Sequence, residues 1–152
     1  MTNGHPHLIL DTCALRDKDF LRWLGKYNGN KSIPSVVYME QLRQFLNNGV
    51  VRPMDQYQGD NVEINAFDEL LNASKIKVLP FEKKHAVFAA NVMNVQPRVC
   101  KSCNKFNWVD VMVSAYIGNG QFVVTNNIDD FPVYAGYEDR ILTPEEVKKR
   151  FS

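Results

Sequence analysis

Acidic side chains stand where strands end or helices begin: Asp11 after "HLIL", Glu40 in "SVVYMEQL", Asp110 in "WVDVMVS", and Asp130 in "VVTNNIDDF". Carboxylates brought together repel. They stay ionised if a hard cation neutralises them, and oxygen donors of this kind select Mg²⁺ or Mn²⁺ with several retained waters. Such an ion lowers the pKa of a bound water, so no side-chain nucleophile is needed. That agrees with a chain in which no Ser–His or Cys–His pair stands out. Each acid also has a structural reading. Asp11 can cap the helix after it, and Asp110, three residues after Asn107, fits the first turn of a helix. Glu40 can be surface charge and "NNIDDF" a polar turn. What joins the acids is their shared placement.

That placement depends on the elements. "LILD" reads as a buried strand, and "DKDFLRWLGKY" as a helix with Asp17 or Asp19 as cap. In "SIPSVVYMEQLRQFLNNG" an extended piece ends near Pro34, Ser35 is the expected N-cap, and Gly49 closes the helix. Its expected apolar stripe is Val36, Val37, Met39, Leu42, Phe45 and Leu46. Residues 50–62, broken by Pro53 and Gly59, read as an excursion, and "FDELLNASK" resumes a helix. "IKVLPF" is a strand and "EKKHAVFAANVMNV" a helix stopped before Pro97. "NWVDVMVSAYIGNG" is a helix expected to run to Gly118 or Gly120, with Asn107 as N-cap. "QFVVT" is a buried strand, and "RILTPEEVKKRF" a strand followed by a helix capped by Thr143 with Pro144 at N1.

Helices between apolar strand runs predict an α/β fold, a three-layer sandwich with a central, mainly parallel sheet. Ligands of such sheets bind beyond the carboxyl ends of the strands. The 152 residues suit one domain over 1–152, and 45% hydrophobic with 23% charged residues describes an ordinary globular protein. A net charge of +1 argues against gripping nucleic acid by bulk electrostatics. Local basic clusters remain: Arg98, Lys101 and Lys105 in "RVCKSCNK", and Lys148, Lys149 and Arg150, which suit a helix C-terminus. The absence of a secretory signal or membrane span, with three cysteines, predicts a cytoplasmic protein. Cys100 and Cys103 form one CxxC, half of a zinc site that only His5, His7 or His85 could complete; two thiols in a loop is the preferred reading.

With these residues in view, the sequence resembles the PIN-domain ribonucleases, including the toxins of toxin–antitoxin pairs. "LILDTCAL" is similar to the opening strand with its first acid, and "SVVYMEQL" to the segment bearing the glutamate. "WVDVMVSAYI" resembles the helix with the third acid, and "VVTNNIDDF" the closing strand and turn. The resemblance implies that Asp11, Glu40 and Asp110 bind Mg²⁺ or Mn²⁺, with Thr12 and Thr125 orienting the acids. Family members place an aspartate two residues after the strand-ending threonine, where this chain has Asn127. Asn127 can offer a carbonyl to the metal and Asp130 can supply the charge, ahead of Asp129. The implied activity is hydrolysis of RNA to 5′-phosphate products; the implied partners are RNA, an antitoxin and a second copy of the chain.

The loop with Arg98, Lys101 and Lys105 is the expected RNA contact, with Phe106 or Trp108 available for base stacking or core packing. A second reading is a PIN-like module that binds RNA or protein without cutting. A haloacid-dehalogenase-type phosphatase is disfavoured because Cys13 stands where its second Asp belongs. A cysteine phosphatase is disfavoured because Asp19 stands where its Arg belongs. Cys13 is read as a small packing residue.

Overall fold

A computed structural model of the chain describes residues 4–44, 62–95, 108–118, 120–131 and 138–152. Strands β1 (His7–Leu10), β2 (Lys31–Pro34), β3 (Ile76–Leu79), β4 (Gln121–Val124) and β5 (Ile141–Leu142) form one sheet in the order β3-β2-β1-β4-β5, with every neighbour parallel. Side chains alternate between the faces of a strand. Leu8, Ile9 and Leu10 are nonetheless all fully buried, so both faces of β1 are covered. This is the α/β architecture expected from the apolar runs.

The helices are α1 (Thr12–Leu15), α2 (Lys18–Leu24), α3 (Ser35–Leu42), α4 (Val62–Ala73), α5 (Lys83–Val95), α6 (Trp108–Ser114) and α7 (Pro144–Phe151). Asp17 caps α2 by accepting the Phe20 N–H at 3.0 Å. Thr143 caps α7 in a reciprocal capping box with Glu146, with Pro144 opening the helix and Lys148, Lys149 and Arg150 in its last turn. Thr143→Ala removes the acceptor for the Glu146 N–H, 3.2 Å away. It should lower the unfolding free energy by about 1 kcal/mol, read as a lower urea midpoint at unchanged slope.

Three local expectations need correction. Pro34, not Ser35, occupies the N-cap of α3, without a side-chain cap bond. The sheet register holds Pro34 extended opposite Leu79, so the chain turns into the helix at Ser35. Met39 is 59% exposed rather than part of the apolar stripe. It lies two residues from the buried Val37, about 200° around the helix, whereas Glu40 shares the Val37 side. Helix α6 ends at Ser114, and the chain continues to Ile117 through bonds three residues apart, from Tyr116 to Val113 and from Ile117 to Ser114. Tyr116 and Ile117 are still buried. Phe45, Leu46 and Gly49 lie outside the described residues, as do Pro53, Gly59 and Asn107.

The topology locates the site. From β1 the chain builds outward through β2 to β3, then returns to place β4 and β5 on the other side of β1. The reversal falls between β1 and β4, a crevice that open α/β sheets use for ligands. Asp11 follows the carboxyl end of β1, and Thr125 follows that of β4.

Candidate metal and nucleic-acid site

At this reversal Asp11, Thr12, Cys13, Arg16, Glu40, Arg43, Gln44, Asp110 and Asn127 line one cavity of about 430 Å³. Asp11 sits at the N-cap of α1, where one carboxylate oxygen accepts the Thr12 N–H at 2.8 Å. Its other oxygen accepts from the Thr125 hydroxyl at 2.9 Å and from the Cys13 thiol at 3.7 Å. The capping reading of Asp11 is therefore realised within the cavity wall. The Thr12 hydroxyl donates to Glu40, joining α1 to α3. Asp110 is buried in the first turn of α6. The Asn127 N–H donates to Thr125 Oγ1 at 3.0 Å, so one hydroxyl fixes both the first acid and the turn after β4.

Burial pushes the Asp11 carboxyl above its ordinary pKa, and the nearby Glu40 charge pushes the same way, against the donors Thr12, Thr125 and Cys13. In the folded protein an ionised Asp11 therefore costs stability once the pH exceeds the ordinary carboxylate value. Relative to wild type, metal-free Asp11→Asn should gain stability as the pH rises to 7, although its amide N–H₂ cannot accept from the Thr125 hydroxyl as the second carboxylate oxygen does. The gain should shrink as the pH falls through that ordinary value, because Asp11 is then protonated in both states. Urea titrations of both proteins at pH 3 and pH 7, with chelator present, check this sign.

The structure brings together Asp11, Glu40, Asp110 and Asn127, with Thr12 and Thr125 bonded to the acids. Asp130 lies in the short 3₁₀ turn Ile128–Asp130, but its side chain is outside the described residues. So are Arg98, Cys100, Lys101, Cys103, Lys105 and Phe106. Trp108 is 57% exposed, which rules out core packing for it. His85 stacks on Tyr116 and accepts the Glu82 N–H, while His7 bonds Ser32.

Cys13 is not the packing residue expected. Its sulfur is half-buried in the cavity wall, 3.3 Å from Thr125 Oγ1, and accepts the Asn126 N–H at 3.1 Å. Arg16, Arg43 and Gln44 were also missed. Nothing in the local pattern distinguishes them from surface residues, although Arg43 follows Glu40 by one helical turn.

The chain is similar to the DNA-bound VapBC of Salmonella typhimurium, at TM-score 0.60 and 17% identity over 91% of this chain and 98% of that one. It is also similar to FitAcB of Neisseria gonorrhoeae, at TM-score 0.53 and 15% identity over the same shares. The chain has a PIN-like fold. The PIN-like fold supplies the five-stranded parallel sheet whose reversal gathers the acids. No protein-family model and no curated protein matches the chain.

Proposed function

We propose that the chain is a Mg²⁺- or Mn²⁺-dependent endoribonuclease of the PIN type. The observation that supports this most is that Asp11, Glu40, Asp110 and Asn127, spread over 117 positions of sequence, line one cavity at the topological reversal. Among the described residues, no three His, Cys, Asp or Glu side chains are gathered tightly enough to hold an ion directly. An oxygen-lined cavity of about 430 Å³ instead suits a cation that keeps most of its waters, as Mg²⁺ does. Asp11, Glu40 and Asp110 would hold the ion, with Asn127 and Asp130 completing its surroundings.

When bound, the ion supplies an acidified water and charge stabilisation at the leaving 3′ oxygen. The chain's own residues keep the acids in place. Thr125 and the Thr12 N–H fix both oxygens of Asp11, and the Thr12 hydroxyl restrains Glu40. Because Asp11 is buried, its negative charge faces little competing water, which strengthens its hold on a cation. The structural neighbours are toxin–antitoxin complexes, which supports a toxin role with an antitoxin partner. A homodimeric, cytoplasmic protein with Arg98, Lys101 and Lys105 on the RNA belongs to the same reading. No helix among the described residues is long and apolar enough to cross a membrane.

A second reading, a PIN-like module that binds without cutting, is favoured by Asn127 in place of an acid. Incubating the protein with single-stranded RNA in Mg²⁺, with and without chelator, separates the two. Cleavage to 5′-phosphate ends that stops with chelator supports the nuclease; retention of intact RNA supports the binding module.

A further inference from the structure

We propose that Arg16 and Arg43 grip the phosphodiester backbone of the RNA at the mouth of the acidic cavity. This rests on the nuclease reading and names the residues that would hold its substrate. Arg16 ends α1 and Arg43 ends α3, so two separate helices each present a guanidinium to the same cavity. Both residues are exposed.

A cation at a helix C-terminus has an ordinary explanation in the helix dipole. That explanation does not account for both converging on one cavity, nor for neither having a carboxylate partner among the described residues. Asp11, Glu40 and Asp110 line the same walls, yet among the described residues the ion pairs are Arg22–Asp19, Lys84–Glu82 and Lys148–Glu145. The two arginines are thus not consumed in neutralising the acids.

Two guanidinium groups lining one cavity favour an anion there. Among the described side chains lining the cavity, three carboxylates and two guanidinium groups sum to −1, and one divalent cation would bring them to +1, or to neutrality with the Asp130 carboxylate added. An arginine offers a planar fork of donors that matches a phosphate's oxygens. Phosphates flanking the bond to be cut would meet Arg16 and Arg43 while the acids keep the metal side. This places a local basic grip on a protein whose net charge is only +1.

The test is the salt dependence of binding. A fluorescent single-stranded RNA oligonucleotide is titrated with protein from 50 to 300 mM KCl, with Ca²⁺ replacing Mg²⁺ and RNA integrity verified afterwards. Each lost phosphate contact flattens the slope of log affinity against log salt by about 0.7 for a single strand. The Arg16→Gln/Arg43→Gln protein should flatten by about 1.4 and bind roughly tenfold or more weakly at 0.1 M salt. Arg22→Gln, which removes an exposed charge paired with Asp19 on α2, should leave the slope unchanged. Unchanged thermal unfolding of the double variant shows that its fold is intact. An unaltered slope in the double variant, with wild type binding and cleaving RNA, overturns the assignment of these arginines alone. Wild type that neither binds nor cleaves RNA overturns the nuclease reading and this assignment with it.

Discussion

Asp11→Asn should reduce Mg²⁺-dependent RNA cleavage on the order of 10³-fold or more while leaving the fold intact. Asparagine keeps an oxygen for the Thr12 N–H and nearly the same volume, so the N-cap of α1 survives. What disappears is the acceptor for the Thr125 hydroxyl and the negative charge at the junction of β1 and β4, where α1, α3, α6 and the turn after β4 meet around the cavity. The measurement is single-turnover cleavage of a labelled RNA at saturating Mg²⁺, beside a thermal melt of each protein. Residual cleavage within tenfold of wild type would show that the water is activated elsewhere. Loss of cleavage together with gained stability in the metal-free protein would show that the buried carboxylate is kept for function at a cost in stability.

The legible parts of the molecule share a physical origin: they are fixed by short-range chemistry. The α7 capping box, the Asp17 cap and the apolar run of β1 each follow from residues within a few positions of one another. Strand ends mark the site because a carboxylate after the buried run Leu8–Leu10 has to find partners, and Asp11 finds Thr125 from 114 positions away. The less legible parts depend on long-range geometry. Cys13 joins the site through Thr125 and Asn126, across more than a hundred residues, so nothing beside it in sequence reveals the contact. Arg16 and Arg43 look like any surface arginine until the packing of α1, α3 and α6 places their helix ends around one cavity. The N-cap of α3 was misplaced because Pro34 is held by its register with β3, which only the folded sheet defines.

Phe131→Ala should be the most damaging of the core substitutions near the site, costing about 3–5 kcal/mol of unfolding free energy. Phe131 is 2% exposed, joins the core that contains β1 and β4, and immediately follows the 3₁₀ turn after Asn127. Its N–H donates to the Ile128 carbonyl at 3.1 Å, so backbone and ring together tether the turn to the core. Truncation leaves a cavity that the surrounding strands can fill only in part, because the sheet register restricts their movement. Phe131→Leu retains most of the apolar volume and should lose well under half as much. Urea unfolding of the three proteins measures both effects. A loss below about 1 kcal/mol for the alanine variant would mean that the ring does not anchor the turn. If the turn is anchored as described, the alanine variant should also weaken Mn²⁺ binding, since the Asn127 side chain sits on the segment that the ring holds down.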